Sequence, residues 1–460
     1  MDQMNKIPGS RENKMGSMPV GRLLMTMALP MIMAMLVQAL YNVVDSIYVS
    51  RVSESAVTAL SLAFPVQNLM IGFATGIAVG VNSLMSKSLG EKDPEKVNAT
   101  AGNGIFLILI SIAVFLLFGL FGARTFYAMQ SQVEETVTGG TAYISICCVG
   151  CAGIFIEILF ERLLQASGRT TYTLFTQGTG AVINIILDRI LIFGGLGLPA
   201  MGIAGAAVAT IIGQWIAAIL AVLFNVKFNP DVKVRARFVR PRKSTILPIL
   251  SIGVPSIIMM AIGSAMNFGM NQILQGFNET ATGVFGIYFK LQSFFFMPIF
   301  GLNNATISIA AYNYGARQPE RIKQVLRCAC AFALCVMCAG VLVFQLAPDA
   351  LLGLFHPTDD FLAMGRSALR IISIHFPMAA IGIALGASFP ALGNGIYSTI
   401  TSLCRQLIVL LPAAYLLSLT QNVNAVWWAF PIAELVSLTV SLLLFRRIYR
   451  QKVKPLYARN

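Results

Sequence analysis

Charge is what this sequence has least of. Asp, Glu, Lys and Arg make up 11% of its 460 residues and hydrophobic types 57%, whereas a soluble globular domain carries about 25% charged residues. A soluble fold is excluded by that balance. Histidine is nearly absent, with two in the chain and no pair at metal-ligand spacing. There is no phosphate-binding loop ending in Gly-Lys-Ser or Gly-Lys-Thr and no nucleophile elbow, so neither ATP-driven pumping by this chain alone nor an enzyme is expected, and no catalytic residue is assigned. The eight cysteines (Cys147, Cys148, Cys151, Cys328, Cys330, Cys335, Cys338, Cys404) lie in apolar segments and not in the links where a disulfide framework forms. Cys335 and Cys338 are read as small helix residues, not as half of a metal or redox site. The first apolar run, from near Leu23, is too long for the core of a cleavable signal and lacks a small-residue cleavage site; it reads as a first span.

Long apolar runs are what the chain does have. A span needs about 20 apolar residues, and the runs divide into twelve: 20–48, 55–86, 97–122, 134–158, 173–194, 202–226, 246–272, 280–310, 322–346, 361–388, 397–418 and 425–448. The net charge of +14 is concentrated between them. Every second link is basic: Lys6, Arg11, Lys14 and Arg22; Lys87, Lys92 and Lys96; Arg162 and Arg169; Lys227, Lys233, Arg235, Arg237, Arg240, Arg242 and Lys243; Arg317, Arg321, Lys323 and Arg327; Arg446, Arg447, Arg450, Lys452 and Lys454. The alternate links hold chiefly Arg51, Arg124 and Arg366. By the positive-inside rule both termini and the central loop are cytoplasmic, and the cations report topology, not a nucleic-acid surface.

Shifting the sequence against itself by 225 residues aligns 30–97 with 255–322 without a gap, with thirteen identities in 68 pairs. Pro30 meets Pro255, Asn42 Asn267, Glu54 Glu279, Gln67 Gln292, Gly76 Gly301, Gly90 Gly315, and Pro94-Glu95 Pro319-Glu320. Ala166, Gly168 and Tyr172 meet Ala391, Gly393 and Tyr397. The expected fold is therefore an all-α polytopic membrane protein, twelve transmembrane helices in two pseudo-symmetric six-helix lobes: 1–226, a basic linker loop at 227–245, and 246–460. Parallel repeats of this kind set a binding cavity between the lobes. Prolines inside or at the ends of spans (Pro30, Pro65, Pro255, Pro298, Pro377, Pro390, Pro412, Pro431) are bend points, static or hinged.

An acid in the membrane costs about 2.5–3.5 kcal/mol on insertion scales, so each demands a partner, water or a proton. Asp45 follows Tyr41 and Asn42 late in the first span; Asp188 follows Asn184 by one turn late in the fifth. Under the same offset these acids correspond to Met270 and Ala413, so the scaffold does not need them. Either carboxylate is suited to protonation or to holding Na⁺ with neighbouring amide and hydroxyl oxygens. Neutralisation of Asp188 by Arg189 and capping by Asp45 are the structural alternatives. Lys290, Glu157, Glu434 and Arg405 are further intramembrane charges, suited to ion pairing among themselves or to the cavity; His375 reads as structural, and His356 falls in a loop.

Several segments together resemble the multidrug and toxic compound extrusion (MATE) family over essentially the whole chain: Asp45-Ser-Ile after a helix containing Pro30, Leu164-Gln-Ala-Ser-Gly168-Arg, Asn184-Ile-Ile-Leu-Asp188, Gly202-Ile-Ala-Gly-Ala-Ala-Val-Ala-Thr210 and Tyr312-Asn-Tyr-Gly-Ala-Arg317. The resemblance implies a cation-coupled exporter of amphipathic, often cationic, compounds, with Asp45, Asn184, Asp188 and Thr210 forming the coupling site for H⁺ or Na⁺ and Tyr41 nearby. The lack of an acid in the seventh span is similar to the DinF-like branch. Arg189, where family members often carry Pro, is a departure that leaves the ion open.

Met31, Met35, Met259, Met260, Phe294 and Phe295 are candidate cavity residues, since thioethers and π faces suit flat organic cations; Lys290 joins them as a charged neighbour. No cofactor is expected beyond the coupling ion. The expected partners are small organic molecules and the bilayer, with the chain acting as a monomer in a bacterial plasma (inner) membrane. A lipid-linked oligosaccharide flippase of the same superfamily is the alternative; it calls for more cavity cations than Lys290 and Arg405 supply. A lipid-modifying intramembrane enzyme is the reading from a different class.

Overall fold

A computed structural model describes residues 13–52, 54–195, 197–233, 235–355 and 358–458. Lys6, Arg11 and His356 fall outside the described residues. Twelve spans follow in chain order: α1 (Val20–Ser50), α2 (Glu54–Gly90), α3 (Pro94–Ala128), α4 (Glu134–Val149 then Ala152–Ala166), α5 (Thr171–Phe193), α6 (Gly202–Phe228), α7 (Lys243–Gln275), α8 (Glu279–Gly315), α9 (Pro319–Leu346), α10 (Asp359–Ser373 then Phe376–Ala391), α11 (Gly395–Ser418) and α12 (Val423–Tyr457). Ten are single helices long and apolar enough to cross a bilayer, and α4 and α10 complete the twelve as pairs bent by 43° and 45°. No strand occurs among the described residues. Helices satisfy every backbone polar group internally, which is what hydrocarbon demands.

The fourth span outruns its expected limits of 134–158. Its helix breaks at Gly150 and Cys151 and then runs on to Ala166, which carries Glu157, Glu161 and Arg162 inside. Arg162, expected in a basic link, is buried, and its Nη1 donates to Gln165 Oε1 at 2.9 Å. In α10 the break falls at Ile374 and His375, where Pro377 can start a helix but not continue one. A π-helical stretch at Cys404–Leu410 widens α11 just before Pro412.

The chain crosses between lobes without wandering. Asn98 and Asn103 on α3 accept the Lys233 and Arg242 backbone N–H groups at 2.6 and 2.8 Å, Asn103 Nδ2 donates to the Phe238 carbonyl at 3.3 Å, and Phe238 is 3% exposed. The linker is therefore strapped to the first lobe. Arg169 on the α4–α5 link anchors it again, through Asp231 at 2.6 Å.

Candidate functional site

The polar residues of the first lobe converge because each sits on the inward face of its own helix. Tyr41 and Asp45 are one turn apart on α1, and Asn184 and Asp188 one turn apart on α5. Asn184 is 3% exposed and Asp188 0%. Thr210 enters from α6: one orientation of the Asn184 amide donates to Thr210 Oγ1 at 3.3 Å. The opposite orientation satisfies more neighbours, since Nδ2 then donates to Asp188 Oδ2 at 3.1 Å while Oδ1 accepts from Thr210 Oγ1 at 3.3 Å and Thr210 N at 3.1 Å. α5 and α6 approach closely enough for this because Gly180 and Gly213 face each other, a Cβ on either lying 3.1 or 2.9 Å from the other's carbonyl oxygen.

Asp45 and Asp188 come within hydrogen-bonding reach of each other. Oδ1 of each is shut off from solvent and accepts no hydrogen bond from the described residues. Two carboxylates that close share a proton or a cation, because like charges in contact cannot both stand bare. Arg189 does not supply the missing charge. It is exposed, about 100° around the helix from Asp188, and no ion pair joins the two among the described residues.

The polar cluster extends beyond the residues expected from the sequence. Tyr41 lies close enough to Asp45, Asp188 and Glu157 to feel all three charges. Gln67 Nε2 on α2 donates to Tyr143 Oη on α4 at 3.0 Å, and Tyr143 and Cys147 stand near Asp45. One turn below Glu157, Glu161 is 3% exposed and accepts from Thr176 Oγ1 and, at 2.8 Å, from Gln177 Nε2. Sequence reading missed Glu161, Gln67 and Tyr143. The signal for Glu161 was its spacing of four from Glu157, hidden by ending the span at 158. The Asn42 side chain lies outside the described ones.

The candidate cavity residues do not share one environment. Met31 is 3% exposed in a core formed largely by the second lobe. Phe295 points into that lobe, edge-on to Phe344 and against Gly340. Met35 and Met259 are half-buried, Met260 is 39% exposed with its Sδ beside Gly72, and Lys290 and Phe294 stand exposed on one stripe of α8. Across the second lobe Arg405 Nη1 stands 3.8 Å from Glu434 Oε2, with His375 stacked on Phe430. Cys335 and Cys338 are exposed free thiols, and no group of three metal-ligating side chains occurs among the described residues.

Comparison with known proteins gives a consistent outcome. The MatE family model matches residues 30–190 and 255–416, segments that begin 225 residues apart. The chain is 24% identical to the multidrug export protein MepA of Staphylococcus saprophyticus, over 92% of each chain, and 25% identical to MepA of Staphylococcus aureus strain MSSA476, over 93% of each. Its fold superposes on crystal structures of MATE: in complex with MaL6 (TM-score 0.90, 24% identity, 98% of this chain and 100% of that), in the straight conformation (0.90, 25%, 98% and 99%) and in the bent conformation (0.87, 25%, 96% and 97%).

Proposed function

The chain belongs to the MatE family, and we propose that it is a secondary multidrug exporter that moves amphipathic or cationic organic compounds outward in exchange for H⁺ or Na⁺ by alternating access. The observation that carries the proposal is the contact between half-buried Asp45 and buried Asp188, whose Oδ1 atoms are shut off from solvent and have no hydrogen-bond partner among the described residues. Two carboxylates in contact in a water-poor interior call for a shared proton or a cation between them, and either one taken up from outside brings about 2.3 kcal/mol per 100 mV of membrane potential with it. Asn184 and Thr210 supply the neighbouring amide and hydroxyl oxygens, and Tyr41 lies near the acids. Relatives named as multidrug export proteins over nine-tenths of their length support the substrate class.

In this reading residues 1–226 and 246–460 move as two lobes about the linker at 227–245, with both termini on the cytoplasmic side of a bacterial plasma membrane and a monomer as the working unit. α7 has no acid between Lys243 and Gln275, which supports a DinF-like site confined to the first lobe. Met35, Met259, Met260 and Phe294 offer the soft, adaptable contacts that suit varied flat cations, with Lys290 at their edge.

The test is efflux of a fluorescent cationic dye from proteoliposomes under imposed pH or Na⁺ gradients. One gradient is expected to drive efflux, and Asp45→Asn and Asp188→Asn are each expected to abolish it while the protein stays folded. Folded protein that moves no dye under either gradient overturns the exporter reading and favours the flippase. Efflux that survives both substitutions removes the coupling site.

A further inference from the structure

The 225-residue repeat reappears in three dimensions as a set of duplicated contacts between the lobes. On α2, a Cβ added to Gly76 would lie 2.5 Å from Ile257 Cγ1 and 2.7 Å from the Gly253 carbonyl of α7. On α8, a Cβ added to Gly301 would lie 2.9 Å from Ile32 Cγ1 and Ile32 N of α1. Gly76 and Gly301 are repeat mates, and so are Ile257 and Ile32.

The same exchange recurs four turns further along both helices. A Cβ on Gly90 would drive into the Tyr312 carbonyl oxygen and come within 2.8 Å of Ala316 N; a Cβ on Gly315 would drive into the Lys87 carbonyl oxygen and come within 3.1 Å of Glu91 N. Tyr312 and Lys87 are repeat mates, as are Ala316 and Glu91. Separations this short leave no room for a methyl group against backbone, which cannot swing aside as a flexible side chain does.

Polar contacts cross the same seam, though their partners are not repeat mates. Ser308 Oγ donates to Asn82 Oδ1 at 3.1 Å across the seam, while its repeat mate Ser83 donates to the Pro390 carbonyl of the opposite lobe at 2.5 Å. All five residues from Asn82 and Ser83 to Ser308, Gly90 and Gly315 lie toward the basic end of the molecule. Gly76, Ser83 and Gly90 fall at spacings of seven on α2, which keeps them on one face of the helix.

We infer that Gly90 and Gly315 are the positioning residues of a single cytoplasmic gate, closed by two equivalent half-contacts that the sequence repeat supplies, with Gly76 and Gly301 carrying the same exchange nearer mid-span. The inference rests on alternating access as proposed above and names the part that closes. Each half-contact exists only while the lobes meet at their basic ends. Filling either one therefore favours the state in which that end is open, and filling either member of a mated pair does so to the same degree. α5–α6 glycines such as Gly180 hold helices together within a lobe and have no such effect on access.

The experiment reads access to the seam directly. In the full chain with all eight cysteines replaced by Ala, Ser83→Cys is the reporter; Ser83 is 2% exposed, so a hydrophilic maleimide added to the basic side is expected to label it slowly. Gly90→Ala and Gly315→Ala are each expected to speed labelling by about tenfold, within about twofold of one another, with the melting temperature near that of the reporter chain. Gly178→Ala, which meets nothing within 4 Å, serves as the control and is expected to change nothing. Unchanged labelling in both folded variants, or a change in one alone, overturns the gate. Should the alanine variants fail to fold, Ser308→Ala removes a cross-lobe hydrogen bond without adding an atom; faster labelling is expected, and none overturns the proposal. No dye and no gradient enter this assay, so loss of the exporter reading in the efflux experiment and loss of the gate here are separate results.

Discussion

The two lobes share one architecture and solve the problem of buried charge in opposite ways. In the first lobe Asp45 and Asp188 meet with no ion pair to balance them among the described residues, and Arg189, the nearest in sequence, faces out. In the second lobe Glu434 is 5% exposed but has Arg405 at 3.8 Å. Under the repeat these two positions correspond to Ala209 and Gly180, so each lobe carries charges that the other lacks. A fold that tolerates either arrangement does not need the acids of the first lobe for packing. In the proposed reading the unbalanced pair is where the coupling ion binds, and the balanced pair is a fixed strut.

The largest effect that would break this contrast is on transport. Asp188→Asn is expected to cut gradient-driven dye efflux by about tenfold or more, while Glu434→Gln in the same liposomes keeps native-like efflux. Equal losses from both would mean that the second lobe is coupled too, and the comparison would fail.

Stability should separate the lobes with opposite signs. Arg405→Ala strands Glu434 without its partner, which for buried pairs costs about 3–5 kcal/mol, and the melting temperature in detergent is expected to fall by several degrees. Replacing both, Arg405→Met with Glu434→Leu, is expected to restore it. Asp188→Asn removes an uncompensated charge and is expected to leave melting unchanged or higher. A fall in Asp188→Asn comparable to that of Arg405→Ala would show that both pairs are structural.

How much of this was legible beforehand depends on which kind of signal a residue gives. The repeat, the twelve spans and the acids Asp45 and Asp188 could all be read from the sequence, because an acid in an apolar run and an identity at fixed offset are local facts. The rotation of each helix could not. Lipid and protein interior are both apolar, so a span such as α7 or α1 carries hydrophobic residues all round and gives no polar face to mark its outside. That is why Met31 and Phe295, chosen for the cavity, turn out packed in the core, and why Arg189 could be imagined beside Asp188. Glu161 was lost to a boundary: the α4 helix breaks at Gly150 and restarts, a feature of tertiary packing that hydropathy does not register. Gly90 and Gly315 were visible as an identity, but their role appeared only when Lys87 and Tyr312 were seen to exchange the same contact.

The smallest predicted effect lies at the start of the third helix of each lobe, where mated sequences differ by one cap. Asp93 accepts the Lys96 backbone N–H at 3.1 Å and pairs with its ammonium at 3.1 Å; its mate Gln318 makes no side-chain cap on α9. The Lys96 N–H, reinforced by the ammonium, holds the Asp93 carboxyl below its ordinary value. A group lowered in the folded state contributes stability that is complete above its unfolded value and fades as pH falls through the folded one. Asp93→Gln, which copies the second lobe, removes a cap worth about 1 kcal/mol, so hydrogen exchange in the first turn of α3 is expected to quicken about fivefold at neutral pH, with α9 unchanged. After correction for intrinsic exchange, the difference between native and variant should shrink as pH is lowered below the ordinary carboxylate range. A difference that holds constant with pH would mean that helix α3 starts where it does for reasons of packing, as α9 must.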